Sequence, residues 1–335
     1  LNLGTISKIE PRYLTFSAES EQTFTMNFKP DKAAAFTLGD GEYFEYRVGN
    51  GEWNKYTETM VIFGGADNDL QLRGTSRKGT AESDAEKRTI ISFGNATDVR
   101  CSGDIRTLVN YKDYENANTS NARFCNLFNN CLQLTSAPDL PATELASKCY
   151  YCMFKHCESL TTAPALPAEA LAERCYYGMF CECSNLTTAP AELPATELAD
   201  ECYLDMFKGC TKLTTAPDLP ATKLAALCYS GKFSNCTELT KAPDLPATTL
   251  APCCYNQMFY NCSDLQTVYI KAKPSLDETI CFEGWLYGAG NSSSKIYCYE
   301  AFYNFIKEAS DDVGPLCPDN WSFYDIDNTW SQWGQ

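Results

Sequence analysis

The chain has 335 residues, and its 27 basic against 43 acidic side chains give a net charge of −16. That balance repels phosphate backbones and anionic lipid surfaces, and so argues against nucleic-acid and membrane-surface roles. No stretch approaches the roughly 20 apolar residues of a membrane helix, so no transmembrane segment is expected.

Residues 1–103 read as an all-β, sandwich-like domain. Leu14, Phe16 and Ala18 alternate with polar residues, as do Phe24, Met26 and Phe28, which puts one face of each strand into a core. Phe44, Tyr46 and Val48 alternate up to Gly49-Asn50-Gly51, where residues that reach positive φ easily suit a reversal, and Trp53 and Tyr56 follow. Further strands are expected at Met60–Phe63, Leu70–Arg73 and Thr89–Phe93. Asp67-Asn68-Asp69 lacks the ligand spacing of a calcium loop and reads as a hairpin turn. Residues 104–123 form a junction and N-terminal cap, with a short helix around Ile105, Leu108 and Val109.

From 124 to 274 one phrase is restated. Its clearest copy runs Cys202, Tyr203, Met206, Phe207, Cys210, Leu213, Thr214, Ala216, Pro217, Leu219, Pro220. The first cysteine recurs at Cys149, Cys175, Cys202, Cys228 and Cys254, and the second at Cys131, Cys157, Cys183, Cys210, Cys236 and Cys262, at a spacing of 26 residues with one 27. A fixed period of this size signals a repeat array, about six copies long. Counted from Leu198, the apolar residues fall at offsets that cover one half of a helix circumference. Leu213–Ala216 reads as a short strand ended by Pro217. One strand and one helix per repeat are therefore expected. Residues 275–335 change character: ten acids face only Lys295 and Lys307, and four of the five tryptophans are here, Trp285, Trp321, Trp330 and Trp333. A strand at Ile296–Cys298 and a helix through Phe302, Phe305, Ile306 and Ala309 are expected to form a C-terminal cap.

The repeat core Phe154-Cys157-Leu160-Thr161, Phe207-Cys210-Leu213-Thr214 and Phe233-Cys236-Leu239-Thr240 resembles that of the BspA-like leucine-rich-repeat surface proteins of gut and oral bacteria. The resemblance covers about residues 124–274. It implies an α/β leucine-rich-repeat solenoid, and hence an α+β chain overall. It also implies an exported protein, secreted or anchored at the bacterial cell surface, that binds macromolecules and has no catalytic centre. The chain opens at Leu1 without a signal-like apolar run, which reads as a mature or trimmed form.

The 19 cysteines suggest disulfide or metal chemistry until their register is considered. Most sit at the two repeat positions beside Leu, Met and Phe, where a small apolar residue belongs. Eight helical residues would separate the two positions by about 12 Å, too far for a disulfide. Cys149-x-x-Cys152, Cys181-x-Cys183 and Cys253-Cys254 have partial zinc or redox spacing, but no second motif or histidine pair completes a site. Cys152 and Cys181, outside the apolar arc on successive repeats, form the candidate disulfide pair, against the simpler reading of two free thiols. His156 is the sole histidine and reads as solvated. No catalytic residue, metal or cofactor is expected.

The column Tyr150, Tyr176, Tyr203, Tyr229, Tyr255 lies at the edge of the apolar arc and is expected to be partly buried. Lys232 stands where other copies carry methionine, and its ammonium is expected to snorkel out while Leu227 fills the gap. The candidate recognition surface is the strand-side threonines: Thr161, Thr162, Thr187, Thr188, Thr214, Thr215 and Thr240. The expected function is a binding or adhesion protein whose partners are proteins or glycans of a host or of the cell envelope. The alternative is a glycan-binding accessory protein that uses the β domain or its aromatic residues.

Overall fold

A computed structural model describes residues 12–30, 34–83, 85–94, 98–313 and 316–327. The alternating N-terminal stretches form strands: β1 (Leu14–Ser17), β2 (Gln22–Asn27), β3 (Phe44–Val48), β4 (Asn54–Lys55), β5 (Val61–Phe63), β6 (Leu70–Gly74), β7 (Ile90–Phe93) and β8 (Val99–Ser102). One sheet has the order β5-β2-β7. The other runs β4-β3-β6-β1-β8 and takes in β9 (Leu134–Ser136), the first strand of the repeat region, in parallel with β8. The two sheets meet through Phe16 of one against Phe24 and Phe93 of the other, with ring centroids 5.6 and 5.5 Å apart. Asp67-Asn68-Asp69 lies in the turn between β5 and β6, closed by the Gly64 N–H donating to the Asn68 carbonyl at 2.8 Å. A single helical turn, α1 (Thr107–Asn110), buries Leu108 and Val109 at the junction.

The repeats do not fold into the expected strand-plus-helix solenoid. The protein is mostly β, with 22 % strand and 6 % helix, in several sheets that do not close into a solenoid. The described α-helices, α1 and the C-terminal α2 (Glu300–Val313), both lie outside the repeats. The reason is in the backbone. In the turn segment of each full repeat three residues spaced four apart have positive φ, as at Glu201, Asp205 and Gly209 or Leu227, Gly231 and Asn235. An α-helix cannot continue through a left-handed residue.

Hydrogen bonding follows the same beat. The N–H groups of Cys202, Leu204, Met206, Lys208 and Cys210 close three-residue turns within their own repeat. Those of Glu201, Tyr203, Asp205, Phe207 and Gly209 donate sideways, to Ala226, Cys228, Ser230, Lys232 and Ser234 of the next. Half of the backbone is thus satisfied locally and half by the neighbour, which leaves few buried orphans and makes each repeat depend on the adjacent one. In the segments beyond the turns, successive copies touch through parallel bridges, including Thr162 with Thr188 and Thr215 with Lys241.

Side chains then stack in columns. The column Phe128, Phe154, Phe180, Phe207, Phe233, Phe259 has centroids 5.3–5.7 Å apart, with planes within 7° of parallel. The second-position cysteines are bonded as well as buried: the thiols of Cys157, Cys183, Cys210, Cys236 and Cys262 each donate to a phenylalanine carbonyl one repeat back, at 3.0–3.2 Å. A thiol fits there because it is small, apolar and a weak donor.

The turn pattern runs past residue 274. Tyr255, Gln257, Phe259 and Asn261 donate to Cys281, Glu283, Trp285 and Tyr287, so Cys281 and Phe282 extend the cysteine and tyrosine columns. On either side of them in the chain, β10 (Thr267–Ile270), β11 (Lys295–Cys298) and β12 (Ser322–Asp325) form a parallel sheet. Helix α2 packs Phe302 against Trp285, with rings 5.8 Å apart. Trp330 and Trp333 lie outside the described residues.

Candidate functional site

The seven threonines singled out by the repeat are all exposed: Thr161, Thr162, Thr187, Thr188, Thr214, Thr215 and Thr240. They flank the buried Leu160, Leu186, Leu213 and Leu239 that anchor each copy. Backbone contacts keep the copies in register, with the Thr187 N–H donating to the Thr161 carbonyl at 3.0 Å and Thr162 bridged to Thr188. The Thr187 hydroxyl also donates to the Thr161 carbonyl, at 3.1 Å. The threonines thus stand exposed at matching positions of successive copies, bonded to one another between Thr161 and Thr187 and between Thr214 and Thr240.

The run of positions continues into residues that the repeat phrase does not mark. Lys241 is bridged to Thr215 on one side and Thr267 on the other. The row then passes through Lys295 and Ser322 of β11 and β12. One step along the strands, Tyr269, Tyr297 and Tyr324 are paired in register, with ring centroids 4.5 and 5.4 Å apart. All three are half-buried, while Val268, Ile270, Ile296 and Phe323 point into the core. Their signal in the sequence is the alternation Val268-Tyr269-Ile270 and Ile296-Tyr297-Cys298, which marks strands with one outward aromatic.

Clefts flank the repeats among the described residues. One, of about 520 Å³, has Arg88, Lys148, Tyr151, Arg174, Tyr177 and Glu201 in its lining. There Arg174 donates to both carboxylate oxygens of Glu201, at 2.9 and 2.6 Å, and the Tyr151 and Tyr177 rings stack at 4.8 Å. Another, of about 430 Å³, includes Arg12, Asp104, Arg106 and Asp139, and its arginines are matched by ion pairs from Arg106 to Asp104 and from Arg12 to Asp139.

Several other expectations are corrected. The column Tyr150, Tyr176, Tyr203, Tyr229, Tyr255 is fully rather than partly buried, and burial holds each phenol well above its usual range. Lys232 does not snorkel: it is 0 % exposed, and its Nζ lies 3.7 Å from the Tyr203 ring centroid and 5.0 Å from that of Tyr229, with no hydrogen-bond partner. Burial lowers its pKa to about 7. Leu227, at φ 56°, is a turn residue rather than core filling.

Cys152 and Cys181 are buried free thiols, not a disulfide. Their register explains it: Cys152 donates its N–H to Tyr177, whereas Cys181 receives that of His156, one turn farther along. Burial raises the two thiols to about 12 and about 11, which keeps them protonated and unreactive. Cys281 is an exception, lowered because it accepts a hydrogen bond from Cys254, yet it too is buried. His156 is half-buried at φ 58° in a repeat turn. Among the described residues no cluster of three His, Cys, Asp or Glu side chains is placed to hold a metal.

Of all 19 cysteines, only Cys253 is not buried. Native-state alkylation read by intact mass is therefore expected to label Cys253 first, and all 19 only after denaturation. A protein that still withholds thiols when denatured without reductant contains a disulfide and contradicts this assignment. Among the described residues no helix is long and apolar enough to cross a membrane. Comparison with protein-family models, curated proteins and solved structures finds no match for this chain.

Proposed function

We propose that this protein is a non-catalytic binding or adhesion protein, secreted or held at a bacterial cell surface, whose repeats present one face to proteins or glycans of a host or of the cell envelope. The observation that carries this reading is the in-register row of exposed threonines over a core that holds the cysteine, phenylalanine and tyrosine columns. A surface that is regular, polar and rigid presents many weak contacts at a low ordering cost. Its resemblance to BspA-like surface proteins in the Phe-x-x-Cys-x-x-Leu-Thr core supports the same reading.

The test immobilises the full chain and measures saturable binding of extracellular-matrix and envelope preparations. Thr188→Glu with Thr215→Glu places two charges on the exposed face and is expected to weaken binding roughly tenfold while the melting temperature stays within a few degrees. Absence of saturable binding, or binding indifferent to the pair, would overturn the reading. The second reading, a glycan-binding accessory protein, is favoured by the half-buried ladder Tyr269, Tyr297, Tyr324. Glycan binding by the full chain without retention of proteins would support it.

A further inference from the structure

We infer that the outer face of the C-terminal sheet is a docking surface for a linear acidic polysaccharide. This rests on the binding reading above and names the partner's chemistry. In a chain of net charge −16, this face gathers four ammonium groups, those of Lys241, Lys271, Lys273 and Lys295. All four side chains are exposed, and none makes an ion pair among the described residues. Three are held beside aromatic rings: Lys241 lies 5.9 Å from Tyr269, Lys273 4.4 Å from Tyr299 and Lys295 5.3 Å from Tyr324. Asp244 lies beside Tyr269, where it adds to the burial and the Tyr297 contact that raise that phenol, and acids continue on the repeat side through bridged Asp218 and Glu192, so the cationic part of the face is its C-terminal end.

The geometry selects the class of anion. Lys241, Thr267, Lys295 and Ser322 occupy one row, so ammonium and hydroxyl alternate from strand to strand. At about 4.8 Å per strand the two lysines stand about 10 Å apart, two rungs along the row. A pyranose chain that carries one carboxylate per disaccharide repeats on that scale, and it meets a lysine with each acidic ring and a hydroxyl with each neutral one. The tyrosine ladder alongside presents apolar ring edges and phenol hydroxyls, which suit a sugar's mixed surface. A peptide is the poorer fit. The backbone groups of β10 and β11 are spent within the sheet, so a chain lying across this face finds no backbone partners and cannot add as a strand.

The experiment titrates the full chain with hyaluronan oligosaccharides, with neutral chitooligosaccharides and with poly-glutamate, each at low and physiological salt. Saturable hyaluronan binding that weakens as salt rises is expected, with the neutral chain failing to bind. Lys241→Gln with Lys295→Gln is expected to weaken hyaluronan roughly tenfold or more and flatten its salt dependence. Tyr297→Ser should weaken it with the salt dependence intact. Poly-glutamate binding as tightly as hyaluronan would make the partner an acidic peptide and overturn the inference, as would hyaluronan binding untouched by the lysine pair. If the full chain retains envelope proteins but not hyaluronan, the inference fails and the adhesion reading stands. If it retains neither, both fail.

Discussion

Lys232→Met is expected to raise the stability of the folded chain by about 2 to 4 kcal/mol near neutral pH, read as a higher melting temperature. The amine is completely buried, beside the rings of Tyr203, Tyr229 and Phe233 and the thiols of Cys202 and Cys228. Methionine occupies the matching positions Met153, Met179, Met206 and Met258, all at 0 % exposure, so the substitution conserves shape and removes a desolvated charge. The pH dependence gives a second check. Lys232 titrates at 10.5 when exposed and at about 7 in the fold. Between those values the unfolded chain binds more protons than the folded one, so stability rises with pH, by up to about 1.4 kcal/mol per unit. Below pH 7 both states are charged and the full penalty applies. Buried thiols such as Cys202 and Cys228, raised from 9.0 by burial, act in the opposite sense and lose their stabilising contribution as the unfolded chain ionises, equally in the parent and in Lys232→Met. Chemical denaturation between pH 7 and 8.5 should therefore show the stability advantage of Lys232→Met over the parent shrinking as pH rises, since the thiol contribution is common to both chains. An advantage that does not change with pH, or a lower melting temperature for Lys232→Met, contradicts this account.

The same residue shows where sequence reasoning met its limit. On a helix, Lys232 would stand at the centre of the buried arc, and a lysine stem there can still carry its ammonium out to solvent. In the repeat turns it has no such route, since its N–H closes a turn on Tyr229 while its carbonyl accepts from Phe207 of the preceding repeat. The repeat imitates a helix in its sequence for one reason. The pairs Cys202-Tyr203 and Met206-Phe207, then Cys210, recur every four residues, and four residues overshoot a helical turn by only about 40°. Over so short a run, a strict period of four and a helical period cover much the same arc. What separates them is the left-handed residue that recurs four apart in each turn segment, and in the repeats it is far more often a residue such as Glu201, Asp205 or Leu227 than glycine, so composition does not announce it. The N-terminal strands were legible because Leu14, Phe16, Phe24 and Met26 alternate against a single core. The threonines were legible as exposed because each copy writes them beside a buried leucine. Tyr269, Tyr297 and Tyr324 were not found, because they fall where the repeat phrase has ended and only strand pairing brings them together.

Phe207→Ala tests whether the columns hold the repeats together. Phe207 is fully buried, with Phe180 5.6 Å away at 7° and Phe233 5.7 Å away at 3°. Removing the ring loses both stacking contacts and leaves a cavity that its neighbours, fixed by the sideways hydrogen bonds, cannot close. The expected loss is about 3 to 5 kcal/mol, against less than about 0.5 kcal/mol for exposed Thr214→Ala. Should Phe207→Ala fail to fold, Phe207→Leu keeps most of the volume and is expected to lose about 1 to 2 kcal/mol. Pairing distinguishes a column from a set of independent sites. Phe207→Leu with Phe233→Leu shares one ring contact, so the double variant should lose less than the sum of the singles. Phe207→Leu with Phe128→Leu, three repeats away, should be additive within about 0.5 kcal/mol. Strict additivity in both pairs would mean that each ring acts only through its own burial. Sub-additivity confined to the adjacent pair would locate the cohesion of the stack in the contact between one repeat and the next.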